Sequence, residues 1–63
     1  MQITITITTD NAAFSDDPSV EVARILQKYA ARLRESYPPI EDLDGDRLLD
    51  YNGNTVGKVE VSE

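Results

Sequence analysis

The sequence predicts a single α+β domain in which one helix covers one face of a three-stranded sheet. Three observations predict it. The chain opens on an uninterrupted alternation of isoleucine and threonine, and this two-residue period is typical of a strand. An apolar stripe of helical period follows over residues 18–36. Two short apolar runs separated by Asn52 and Gly53 then predict a β-hairpin, so the element order is β-α-β-β.

The first strand is expected to run from Gln2 to Thr9 with two chemically different faces. Successive side chains in a strand point to opposite faces, so the isoleucines form an apolar face and the threonines a polar one. The segment carries neither charge nor proline, the usual protections of a sheet edge, and this makes it a candidate for pairing with another strand. The candidate pairing residues are Ile3, Thr4, Ile5, Thr6, Ile7 and Thr8.

The helix has recognisable start and stop signals. Asp16 or Asp17 can cap its first turn, and Pro18 suits its first position. It should end near Ser36, because Pro38 disfavours helical geometry in the residue before it. The apolar stripe consists of Val22, Ile25, Leu26, Tyr29 and Leu33.

The closing hairpin constrains the strand order. Strands Arg47–Tyr51 and Thr55–Val61 must be neighbours, because either a tight turn or a bulged loop that includes Asn54 joins them. We favour the order 2-3-1, a mainly antiparallel sheet with the C-terminal strand in the centre and the first strand at an edge. The alternative order 1-2-3 pairs strands one and two in parallel through a helical crossover. The predicted core is Ile3, Ile5, Ile7, Phe14, Val22, Ile25, Leu26, Tyr29, Leu33, Leu49, Val59 and Val61.

The chain is strongly acidic for its size. Its 63 residues include 12 acidic and 6 basic side chains, giving a net charge of −6. This balance argues against direct binding of nucleic acid, because little would neutralise the phosphates. It permits binding to a basic protein surface, including one that itself binds nucleic acid. The candidate partner-binding residues are Glu41, Asp42, Asp44, Asp46, Asp50 and Glu60.

The composition also limits the chemistry available. The chain contains no cysteine and no histidine, so it has neither a thiolate ligand nor the commonest metal ligand and general base. The carboxylates are expected on an exposed loop of a domain too small for a deep pocket, so we expect no enzyme and no cofactor. No apolar run approaches the roughly 20 residues of a membrane span, and no signal peptide is evident.

One acidic run partly resembles a calcium-binding loop. Asp42, Asp44 and Asp46 alternate around a glycine, as carboxylates do in calcium loops. However, Gly45 precedes the third acid instead of following it, and no glutamate closes the loop. We therefore expect a plain acidic turn and no metal.

Three blocks of the sequence resemble a group of small uncharacterised phage and prophage proteins. The blocks are MQITITITTDNAAF at Met1–Phe14, EVARIL at Glu21–Leu26 and NGNTVG at Asn52–Gly57. Residues 37–46 fall outside the shared pattern, and they carry much of the acidic run. The resemblance implies a phage origin and supplies no catalytic residues.

Acidity, size and this resemblance together predict a non-enzymatic interaction protein. The first hypothesis is an inhibitor of host defence, of the anti-CRISPR or anti-restriction type, that binds a basic surface of a nucleic-acid-processing complex in the bacterial cytoplasm. The alternative is a structural or regulatory phage accessory module without a host target. Such a module would act as a homodimer formed through the first strand.

Overall fold

The computed structural model describes all 63 residues and confirms an α+β fold with one α-helix on a three-stranded antiparallel sheet. The strands lie in the order β1-β3-β2, which is the predicted order 2-3-1 read from the other edge. No helix combines the length and apolarity of a membrane span. The elements are β1 (Gln2–Ile7), a 3-10 turn (Ala12–Phe14), α1 (Pro18–Ser36), a second 3-10 turn (Ile40–Leu43), β2 (Arg47–Leu49) and β3 (Thr55–Ser62).

The central strand β3 pairs with β1 along almost its whole length. The register runs from Gln2 opposite Ser62 to Ile7 opposite Gly57. One further bond follows the strand, from the Thr8 N–H to the Val56 carbonyl at 2.7 Å. No strand pairs with the other side of β1, so β1 is an edge of the sheet, as predicted.

Helix α1 has the predicted bounds, but its first turn lacks the predicted side-chain cap. Asp17 occupies the capping position without a side-chain hydrogen bond to the helix, and Pro18 starts the first turn. The helix ends at Ser36. The next residue, Tyr37, caps it in a left-handed conformation with φ of 48° and donates its N–H to the Leu33 carbonyl at 3.0 Å. The residue before Pro38 therefore leaves helical geometry, as the sequence predicts.

The hairpin takes the bulged form. Strand β2 ends at Leu49, two residues earlier than predicted, because the Asp50 carbonyl accepts a turn-closing bond from the Gly53 N–H at 3.0 Å. Only Gly53 in this turn has a positive φ, at 85°. The register then shifts between Leu48 and Leu49, which leaves Val56 as an extra residue on β3.

The core differs from the prediction: of the twelve predicted residues, four are buried, four are partly buried and four are exposed. The buried apolar residues are Ala13, Phe14, Ile25, Tyr29, Leu43, Leu48, Val56 and Val59. Four predicted members pack partly against this cluster: Ile7, Val22, Leu33 and Val61. Leu48 replaces the predicted Leu49 because Leu48 lies opposite Gly57, on the sheet face that carries Val59.

Four predicted core residues are exposed. Leu49 is 47% exposed on the other face of β2. Ile3, Ile5 and Leu26 are 44%, 43% and 40% exposed. The prediction assumed that the helix covers the whole apolar face of the sheet, but its contacts with the sheet concentrate on β2. Part of the apolar face of β1 therefore remains open to solvent.

Gly57 permits the close approach of β1 and β3. A Cβ at this position would overlap the Thr6 carbonyl oxygen and lie 3.2 Å from the Ile7 Cα. Both contacts are with backbone, which cannot move without disturbing the β1–β3 ladder. Glycine is therefore required here because a side chain would collide with β1, and not because the backbone has a positive φ.

We expect Gly57→Ala to lower the free energy of unfolding by about 2 kcal/mol, because the new methyl group meets backbone atoms of β1. Urea unfolding monitored by circular dichroism measures this change. Thr55→Ala, at an exposed position of the same strand, is the matched control and should change stability by less than about 0.5 kcal/mol. If Gly57→Ala is as stable as the natural chain, the backbone of β1 does not lie as close to residue 57 as described here.

Candidate protein-binding site

The structure divides the six predicted acidic residues between the surface and the interior. Glu41 and Asp42 lie in the second 3-10 turn, where both are exposed. Neither carboxylate forms an ion pair. Glu60 is exposed on β3, and its nearest cation is the Lys58 ammonium at 3.8 Å. An exposed pair at this distance contributes little to stability, so the Glu60 carboxylate stays accessible to a partner.

Asp44 is exposed and also extends the hydrogen bonding of the sheet. Its Oδ1 accepts the Val61 N–H at 2.9 Å. The Val59 N–H donates to the Asp46 carbonyl at 2.8 Å, just before β2 begins. The segment from Asp44 to Asp46 therefore continues the line of β2 along β3 and holds the acidic turn beside the C-terminal half of that strand.

Asp46 is engaged within the chain. Its Oδ2 accepts hydrogen bonds from the Arg32 guanidinium at 2.7 Å and from the Tyr29 hydroxyl at 2.9 Å. The bond from Arg32 holds the pKa of Asp46 below its ordinary value, against the opposing effect of burial. Burial, assisted by the hydrogen bond to Asp46, raises the pKa of Tyr29 to about 12. Asp46 therefore joins α1 to the acidic turn, and it is less available to a partner than predicted.

Asp50 lies in the interior, so it leaves the partner-binding set. Its side chain accepts hydrogen bonds from the Asn52 N–H at 2.9 Å, the Asn54 N–H at 2.9 Å and the Asn54 amide at 3.2 Å. A fourth bond comes from the Asn11 amide at 2.7 Å. Burial raises the pKa of Asp50, but these hydrogen bonds outweigh it and the net pKa is lowered. Asp50 shapes the hairpin and fastens it to the segment after β1.

Glu21 is a second interior carboxylate. The Arg24 guanidinium donates to its two oxygens at 2.8 and 2.9 Å, and the Tyr51 N–H adds a bond of 2.9 Å. The bonds from Arg24 lower the pKa of Glu21 despite burial. Arg24 also reaches the Leu49 carbonyl at 3.4 Å. The three-residue spacing of Glu21 and Arg24 predicts their pairing, but it does not predict their contact with the hairpin.

Strand β1 is an edge of the sheet, but it ends at Ile7, two residues earlier than predicted, so Thr8 lies just beyond it. The Thr8 N–H donates a hydrogen bond to β3. Backbone groups alternate between the two sides of a strand, so the N–H and C=O groups of the even-numbered residues of β1 also face β3. The N–H and C=O groups of Ile3, Ile5 and Ile7 therefore face outward from the sheet. The threonine backbones are already paired.

A shallow cleft separates α1 from β2. It has a volume of about 180 Å³, and Lys28, Arg32 and Arg47 line it around an apolar floor. This volume is below the roughly 300 Å³ at which small-molecule sites begin. No group of three or more acidic side chains converges in a way that could hold a metal ion. The arrangement offers charged and edge-strand surfaces for contact with a protein.

Comparison with protein-family models, curated proteins and solved structures finds no match to this chain. The resemblance to phage proteins therefore stays a prediction. The candidate site rests on the chain's own geometry: four exposed carboxylates at one end of the sheet, and an unpaired edge on β1.

We expect Asp50→Asn to lower the midpoint of thermal unfolding at pH 7 by several degrees, because an amide group replaces a carboxylate that accepts every hydrogen bond offered to it. Asp16→Asn, at an exposed position, should change the midpoint by no more than about 1 °C.

The effect of Asp50→Asn on stability should also depend on pH. Asp50 has a lowered pKa in the folded chain, so its stabilising contribution is present above its unfolded pKa of about 4 and is lost as pH falls through the lower folded value. The natural chain should lose stability on acidification from about pH 4, and Asp50→Asn should lose less. Equal losses in the two chains, measured by urea unfolding at several pH values, would contradict the role assigned to Asp50.

Proposed function

We propose that this protein is a non-enzymatic inhibitor of a nucleic-acid-processing defence complex, encoded by a phage or prophage, that binds a basic surface through its acidic end. We define the acidic end as Glu41, Asp42, Asp44 and Glu60. The single observation that carries the proposal is that the Val61–Asp44 hydrogen bond holds a turn with three exposed carboxylates against the end of β3, where Glu60 is also exposed.

The geometry of the acidic end supports contact with an extended basic surface. The hydrogen bond from Val61 to Asp44 holds the turn against β3, so its carboxylates are presented on a fixed backbone. Fixed charges lose less conformational freedom on binding than charges on a free loop. A basic groove that binds nucleic acid is complementary to such an array of negative charge.

The basic residues of the chain do little to neutralise this end. Arg24 is paired with Glu21, and Arg32 is paired with Asp46, on the side of the helix that faces β2. The cations Lys28, Arg32 and Arg47 therefore line the α1–β2 cleft, and only Lys58 lies near a carboxylate of the acidic end, at 3.8 Å from Glu60. This separation favours an oriented encounter with a basic partner over a weak, uniform attraction.

Charge reversal tests the proposal. We expect that a bacterium with an active CRISPR or restriction system, when it expresses the natural chain, allows a targeted phage to form plaques at least roughly tenfold more efficiently. Glu41→Lys/Asp42→Lys should abolish this gain, because two carboxylates that would meet the basic surface become cations. The efficiency of plaquing, measured across a panel of defence systems, gives the result.

Asp10→Lys/Asp16→Lys is the matched control, because it changes the net charge equally at exposed positions outside the acidic end. It should retain the inhibition. If both double variants lose activity alike, net charge and not the acidic end is responsible. If the natural chain protects phage against no system in the panel, the proposed function is wrong.

A further inference from the structure

The cleft between α1 and β2 carries positive charge that the acidic end does not use. Its volume is about 180 Å³, and its charged lining consists of Lys28, Arg32 and Arg47. The only carboxylate paired with any of these three is that of Asp46, which bonds to Arg32. Three cations and one carboxylate give the cleft a local charge of +2, in a chain whose net charge is −6. The cleft is therefore a cationic site on an acidic protein.

Helical spacing places the cations of α1 on the side that faces β2. Arg24, Lys28 and Arg32 recur every four residues, about 6 Å apart along the helix axis. Arg24 reaches the Leu49 carbonyl at 3.4 Å. Arg32 bonds to Asp46, the residue just before β2. Both ends of the row thus lie against β2, and Lys28 lies between them at the cleft.

Lys28 and Arg47 have no carboxylate partner within the chain. Neither takes part in any of its three ion pairs. In the register of β2 and β3, Arg47 lies opposite Lys58, so its cross-strand neighbour is a second cation. Like charges at such positions are unfavourable. A ligand carboxylate at the cleft would give both Lys28 and Arg47 the partner that they lack.

Arg32 is already held in a position to bind a carboxylate. Its guanidinium donates to Asp46 at 2.7 Å and lies 5.8 Å from the centre of the Tyr29 ring. The Tyr29 hydroxyl bonds to the same Asp46 oxygen at 2.9 Å, which fixes the ring and the carboxylate together. A guanidinium has five N–H donors, and Asp46 accepts only one of them. The remaining donors can meet a ligand with little further loss of conformational freedom.

The floor of the cleft specifies an apolar group between the charges. Ile25, Tyr29 and Leu48 line it, and Leu49 adds an apolar side chain that is 47% exposed. A free carboxylate or phosphate ion would leave this apolar surface in contact with water. The cleft is smaller than a typical small-molecule site, but it can take a single side chain. We propose that it binds a peptide segment of a protein partner in which an apolar side chain is flanked by carboxylates.

The charge distribution favours an acidic peptide over a nucleic acid. Two free cations cannot neutralise a run of phosphates, and the net charge of the chain repels a long polyanion. A short peptide with a few carboxylates responds mainly to charges close to the cleft, because the Debye length at physiological salt is about 8 Å. None of the cleft residues belongs to the acidic end, so this site can bind or fail to bind independently of the proposed inhibition.

Titration with a defined peptide tests the proposal. The probe is acetylated and amidated, and it has a leucine–phenylalanine centre with two glutamates on each side. We expect saturable shifts in the backbone amide NMR signals of Lys28, Arg32 and Leu48. The same peptide with glutamines in place of the glutamates should bind at least roughly fivefold more weakly, because it cannot pair with the cations. A peptide with alanines at its centre should lose a similar factor, because it leaves the floor uncovered.

A matched pair of variants locates the site. Lys28→Ala should raise the dissociation constant of the glutamate peptide roughly threefold, because it removes a cation that has no partner in the chain. Arg34→Ala is the control, at another exposed cation of α1 without an ion pair, about 120° around the helix from Lys28. It should leave the dissociation constant unchanged, and circular dichroism should show both variants folded.

Several results would overturn the proposal. An absence of saturable shifts at the cleft with the glutamate peptide at about 1 mM excludes binding of useful strength. Equal binding of the glutamate and glutamine peptides shows that charge does not select the ligand. Inorganic phosphate or a short thymidine oligonucleotide that binds as tightly as the peptide reduces the cleft to a general anion site. Equal weakening by Lys28→Ala and Arg34→Ala assigns the binding to net charge and not to the cleft.

Discussion

The pairing of β2 with β3 through a short loop is the constraint on which the rest of the structure depends. The buried Asp50 carboxylate fixes this loop by accepting hydrogen bonds from two backbone N–H groups in the turn. Because the hairpin strands must be adjacent, β1 can pair only with the free side of β2 or of β3, and it pairs with β3. The edge position of β1, and the open apolar surface beside it, follow from the turn at the other end of the chain.

Two buried carboxylates, Glu21 and Asp50, and the half-buried Asp46 give a thin core its specific contacts. Glu21 connects α1 to the hairpin through the Tyr51 N–H, and Asp46 connects α1 to the acidic turn through Tyr29 and Arg32. Asp50 connects the hairpin to Asn11. Every buried polar side-chain atom has a partner, so these groups incur no penalty for an unpaired charge. A chain with only eight buried apolar residues thereby holds its elements in one arrangement.

The backbone plan was predictable from local chemistry, and the positions of individual side chains were less so. The bounds of α1 follow from Pro18 and Pro38, and the edge position of β1 follows from Asn52 and Gly53. The interior position of Asp50 could not be predicted in this way, because a carboxylate close to Asp46 in an acidic run is expected to face solvent. Its burial depends on Asn11, 39 residues away, and no short-range pattern encodes that bond.

The core likewise combines features that the sequence predicts with side-chain positions that it does not. Alternation predicted the apolar face of β1 correctly, but it could not show that α1 lies toward β2 and leaves Ile3 and Ile5 about 40% exposed. Likewise, the extra residue Val56 turns inward only because a bulge follows the turn. Nor did sequence spacing separate Glu41 and Asp42, which remain free, from Asp46, which is held by Arg32.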